Sequence, residues 1–226
     1  MTTGRPATPP SPAPAAPPAL PAAPPPLALV DQLVELSSRM HGHLCPGQVI
    51  GVRMAILGLG LLGFACPLGM PEIKQVVGIV EIERCLADAV AAASGLRFGR
   101  GSLKMINQGL LAASFMDLAS GRAVRIVSRE QARALAPVYA PKAATPQAAQ
   151  VTAYRFMTDA ELFDAQWVAI RLAPHDLPGA RPPKIACAAC GALVRGGQTH
   201  RVEGRELCAV CAGQGYFSLL LPSGEV

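Results

Sequence analysis

The chain has 226 residues, of which 51% are hydrophobic and only 4% aromatic, with 22 prolines and 22 glycines. That length holds one medium domain plus a small module, and so much proline and glycine excludes a chain packed along its whole length. A thinly spread net charge of +5 permits an acidic partner without demanding one.

Residues 1–26 are almost entirely Ala, Pro, Thr and Ser. Prolines recur too often for the unbroken apolar run of a secretory signal, so a disordered tail, partly polyproline II, is expected. Leu29, Leu33, Leu36 and Met40 recur at helical spacing and predict a helix over Leu27–Met40. His41-Gly42-His43-Leu44-Cys45-Pro46-Gly47 then reads as a turn, and a second helix follows over Gln48–Leu62. The apolar stretch Ile50–Met70 is as long as a membrane span, but Arg53, Gly51, Gly58, Gly60, Gly63 and Pro67 interrupt it. A buried helix is the better reading, and no membrane association is expected.

Lys74–Glu83 carries the β-branched run of a buried strand, and Arg84–Ser94 is an Ala-rich helix ended by Gly95. Ser102–Asn107 and Leu111–Leu118 read as strands, with a turn at Ser120-Gly121-Arg122 and a returning strand Ala123–Ser128. Ser128 with Gln131 suggests a capped helix through Leu135. Pro137–Gln150 reads as a linker, Thr158–Leu172 as a helix opened by a capping box at Thr158 and Glu161, and Pro174–Pro183 as a second linker. The expected organisation is a tail (1–26), an α+β core with a mixed helix and antiparallel-sheet architecture (27–136), a linker with a bridging helix (137–181), a zinc ribbon (182–217) and a terminal tail (218–226).

Four of the seven cysteines form two pairs, Cys187-x2-Cys190 and Cys208-x2-Cys211, separated by seventeen residues. Each pair can close a turn that aims two sulfurs at one ion, and four thiolates complete a tetrahedral zinc site with no open position. The expected role is structural, because so short a segment has little core of its own. An iron–sulfur site and a redox dithiol are the competing readings. Metal ligation also points to a reducing compartment, the cytoplasm. The mildly basic surroundings suit nucleic acid as well as protein, but a solvated surface is favoured. His200 is expected at the surface, and Cys66 in the core.

His41, His43 and Cys45 stand at alternate positions, which in extended backbone share one side. Cys45 also precedes a helix N-terminus, where a thiolate is favoured. Such a donor set suits zinc, nickel or iron. The alternative is two exposed histidines and an inert cysteine. Glu81-Ile82-Glu83-Arg84-Cys85-Leu86-Ala87-Asp88 forms a second cluster where a strand gives way to a helix, with Cys85 and Asp88 on one helical face. Here the alternative is a capping cluster around a core cysteine.

In this order, and with Gly95, Phe98, Gly99 and Gly101 after them, the two clusters resemble the FmdE family, named for the E subunit of formylmethanofuran dehydrogenase. His41–Gly47 with Gly51 and Arg53 matches its opening block; Glu81, Cys85, Asp88 and Ala89 match its second. The resemblance implies an α+β core, an intertwined homodimer, and a metal or reactive-cysteine site with His41, His43, Cys45 and Cys85 as candidate ligands. It departs from the family at Leu96, where a cysteine is usual, and at Leu110, where a lysine is expected. The expected function is a metal-binding accessory protein with a core transition metal and a structural zinc. Cys45 and Cys85 would act as thiolates in any chemistry, His41 or His43 as ligand or base, and Glu81 and Asp88 would orient them. A zinc-finger regulator that binds RNA or DNA is one alternative. A subunit of a molybdenum or tungsten oxidoreductase complex is another.

Overall fold

The computed structural model describes residues 16–218. Of the expected tails, residues 1–15 and 219–226 lie outside the described residues. The chain divides into two compact units at Arg171/Leu172.

The first unit is α+β, with helices against a mixed sheet. Helix α1 spans Leu27–His41 and α2 Pro46–Leu62. Strand β1 (Val76–Val80) leads into α3 (Cys85–Ser94), and β2 (Leu103–Met105) returns parallel to β1. Strands β3 (Ala112–Asp117), β4 (Ala123–Ser128) and β5 (Phe163–Val168) complete an antiparallel run, giving the order β2-β1-β3-β4-β5. Val76, Val80, Ala113, Phe115, Val124 and Ile126 bring one face of the sheet into the helical core.

Helix α2 is buried along most of its length because it is apolar on every side, the pattern of a central helix. No helix among the described residues is long and apolar enough to cross a membrane. Gly51 lets α3 come close: a Cβ there would lie 2.5 Å from the Ala89 Cβ and 2.8 Å from the Leu86 carbonyl oxygen. Arg53, the polar interruption in that apolar run, is fully buried. Its guanidinium donates to the Tyr154 and Met157 carbonyls at 2.7 and 2.8 Å and to Asp159 at 2.8 Å. One cation thereby fastens α2 to the segment after β4.

That segment departs from the sequence reading. The expected linker Pro137–Gln150 lies largely in helices α4 (Gln131–Tyr139) and α5 (Pro146–Phe156). Thr145 caps α5 by accepting the Ala148 N–H at 3.1 Å, and Ala149 and Ala153 are buried. Alanine allows close helix packing, so a linker-like composition is core here. Ser128 ends β4 and does not cap α4, whose first residue comes after Glu130. The Thr158/Glu161 capping box is present, but its helix, α6, is a single turn, Asp159–Leu162. The expected helix through Leu172 is instead β5, because Phe163 and Ala165 alternate with exposed Asp164 and Gln166, a period of two that pairs with β4. Within the expected N-terminal tail, Leu20 packs against the core.

The second unit holds two short hairpins, β6 (Lys184–Ala186) with β7 (Leu193–Arg195), and β8 (His200–Val202) with β9 (Arg205–Leu207).

Candidate metal centres

Three helix ends build the upstream site. Gly42, with φ of +95°, terminates α1 and reverses the chain, so His41 stays on the helix while His43 enters the turn. Cys45 is the N-cap of α2 and Cys85 the first residue of α3. Donor atoms of His41, His43, Cys45 and Cys85 lie within 4.8 Å of one another. The four residues singled out in the sequence therefore share one space.

His41 carries the most informative geometry. Its Nδ1 is 2.7 Å from Asp88 Oδ2, while its buried Nε2 has no hydrogen-bond partner among the described residues. A carboxylate at Nδ1 favours the tautomer with the proton there, leaving the Nε2 lone pair free as a donor. Asp88 thus does what was expected of it. Glu81 does not: its buried carboxylate takes a two-pronged pair of 2.7 Å bonds from Arg125 on β4. The guanidinium satisfies both oxygens, which ties Glu81 to the sheet and away from the histidines and cysteines.

The expectation of a Cys85 thiolate also needs correction. Burial, then the neighbouring Cys45 thiol, pushes the Cys85 thiol above its ordinary value. Two sulfurs in one small space disfavour two negative charges, so the free pair holds a proton that a bound cation would displace. The donor set therefore fits a late transition metal with mixed N and S ligation.

The site rests on a polar link that sequence reasoning missed. Ser37 on α1 donates to Gln48 Oε1, and Gln48 Nε2 donates to the Cys85 carbonyl at 2.8 Å. Ser37 and Gln48 are fully buried. A glutamine in the first turn of an otherwise apolar helix was the available signal. Leu96, the departure from the family pattern, is fully buried in the core, and Leu110 is 43% exposed. Cys66 is partly buried; its thiol donates to the Ala93 carbonyl at 3.3 Å, and burial pushes it up to about 12.

In the second unit, Cys187, Cys190, Cys208 and Cys211 also bring their sulfurs within 4.8 Å of one another. The Cys208 N–H points at Cys187 Sγ at 3.3 Å, and the Cys211 N–H at Cys208 Sγ at 3.4 Å. Backbone N–H groups, led by that of Cys190, lower the Cys187 thiol to about 6. The crowded sulfurs, led by Cys208, raise Cys211 to about 12. Cys190 and Cys208 sulfurs are only 3.8 Å apart. Four thiolates coexist at such spacing only around a cation, so this set also fits a metal. His200 lies outside the group, on β8.

An α+β unit with a mixed His/Cys cluster, accompanied by a four-cysteine module, defines the class. The family described as "FmdE, Molybdenum formylmethanofuran dehydrogenase operon" matches residues 40–164, and the chain belongs to that family. A solved FmdE-like protein of tungsten formylmethanofuran dehydrogenase, from Syntrophus aciditrophicus, shares the fold. Its TM-score is 0.55 at 22% identity, covering 83% of this chain and 94% of that one. A probable S-adenosyl-L-methionine-binding protein of Archaeoglobus fulgidus is 29% identical over 109 residues. The match spans 48% of this chain but only 30% of that relative's length.

Proposed function

We propose that this protein is a metal-binding accessory protein of the FmdE type. His41, His43, Cys45 and Cys85 hold a transition metal, and Cys187, Cys190, Cys208 and Cys211 hold a structural zinc. The observation that carries the reading is His41, with Nδ1 on Asp88 and a buried, unpartnered Nε2 among three further donors. A bound metal would supply a Lewis-acid centre there. Asp88 fixes the His41 tautomer, and Gln48 fixes the start of α3. An accessory role is favoured over independent catalysis because a leucine in the core, Leu96, stands where the family resemblance calls for a cysteine. The exposed apolar side chains Met40 and Leu44 next to the cluster support a homodimer. Service inside a molybdenum or tungsten oxidoreductase complex is the second reading, and the family's description favours it.

Metal analysis of the purified chain tests the proposal. We expect one tightly held zinc and one more labile metal per chain. Cys45→Ser or His43→Ala should remove the labile metal only, and Cys208→Ser the zinc, with loss of ordered structure around residues 184–211. A wild-type protein with a single metal, unaltered by Cys45→Ser, would eliminate the upstream centre.

A further inference from the structure

Beside the His/Cys cluster lies a cavity of about 50 Å³ that the metal reading leaves unused. Gly47, Ser128, Arg129, Arg133, Gln150 and Tyr154 line it. These come from the first turn of α2, the end of β4, helix α4 and helix α5, so four separate segments converge there. At about 10–15 Å³ per water position, the space holds roughly four waters, the size of a carboxylate or phosphate head.

The lining is short of partners. Tyr154 is only 3% exposed, yet its hydroxyl makes no hydrogen bond among the described residues. The Gln150 amide and the Ser128 hydroxyl likewise find none there. Gln150 and Tyr154 sit one turn apart on α5 and so share a face. Burial raises the Tyr154 hydroxyl above its ordinary value, so it is a donor at neutral pH. Water could satisfy these groups, but the two guanidiniums decide the sign of the preferred guest. Arg129 is held by the Ala160 carbonyl at 2.7 Å and by Asp164 at 3.4 Å, and Arg133 by Glu130 at 3.3 Å. The side chains of Asp164 and Glu130 are 64% and 74% exposed, so solvent screens them, and their arginines keep N–H groups to spare.

Gly47 joins this cavity to the cluster. A Cβ at Gly47 would lie 3.0 Å from Cys85 Cβ and 3.7 Å from Cys45 Sγ. We propose that the cavity is an oxyanion subsite. Arg129, Arg133 and the Tyr154 hydroxyl bind the carboxylate or phosphate group of a small molecule whose remainder lies toward the His/Cys cluster. The orientation toward the cluster rests on the metal-centre reading; the anion site itself does not.

Titration with inorganic phosphate and, separately, with acetate tests this, following the Gly47 amide and the Arg133 Nε–H by NMR. We expect saturable shifts of both signals with at least one anion. Phosphate preference would assign a tetrahedral head, and acetate preference a carboxylate. Arg133→Gln should weaken binding roughly tenfold and Tyr154→Phe about threefold. Cys45→Ser should leave anion affinity intact. Anion binding that persists in a chain found to hold only one metal would sustain the subsite while the upstream metal reading fails. Absence of saturable shifts up to about 100 mM of either anion would overturn the subsite. So would binding abolished by Cys45→Ser and unmoved by Arg133→Gln, since the anion would then be a metal ligand.

Discussion

Replacing Arg53 with methionine keeps the length of the side chain and removes the charge. In the native protein that guanidinium meets two carbonyls and the Asp159 carboxylate inside the core. Methionine strands all three acceptors. Losing one charged hydrogen-bond partner costs about 1.5–3 kcal/mol, but three bonds from one group do not add. The better bound is about 3–5 kcal/mol for breaking a buried ion pair by removing one side. At about 2–4 °C per kcal/mol for a chain of this size, the midpoint should fall by roughly 6–20 °C. Trp167 is the only tryptophan in the chain and lies on β5, so its fluorescence during urea or thermal unfolding reports on the first unit. Asp159→Leu added to Arg53→Met should recover part of the loss, because the stranded carboxylate disappears. A single variant within about 1 kcal/mol of wild type would refute the reasoning. A double variant no better than the single would assign the cost to packing and not to stranded charge.

Gly51→Ala should separate α2 from α3. The helix gains about 1 kcal/mol of propensity, but the new methyl meets the Leu86 backbone, and overpacking costs about 1–3 kcal/mol. Because α2 and α3 carry Cys45 and Cys85, we expect a net loss of stability together with weaker retention of the labile metal; a stabilised variant with unchanged metal content would contradict the packing account. Acid should also destabilise the first unit through Glu161, whose carboxyl is held below its ordinary 4.5, chiefly by the Tyr139 hydroxyl. A depressed folded pKa contributes stability above the unfolded value that is lost as pH falls through the folded one. Tyr139→Phe should therefore flatten the slope of stability against pH below about pH 5, and superimposable slopes would remove Glu161 as a cause.

Local chemistry made much of the molecule legible in the sequence. Alternating His41, His43 and Cys45 and the paired C-x-x-C motifs specify soft donors within a few residues, and spacing alone brings each short set together. The Thr158/Glu161 capping box likewise fixes a helix start, since it involves four consecutive residues. The strand after it was decided elsewhere: β5 exists because β4 presents an unpaired edge, and no propensity inside Phe163–Val168 outweighs a run of ladder hydrogen bonds. The Ala-rich segment after Pro137 could be a linker or a core helix by composition, and only burial against neighbouring helices makes it the latter. Glu81 shows the same division. Its position at the strand end was visible, but its partner Arg125 lies 44 residues away on another strand. The meeting of Cys85 with Cys45, and the cavity behind Gly47, depend on how closely α2 and α3 approach. That distance is set by side-chain volumes across a tertiary contact, which no local pattern encodes.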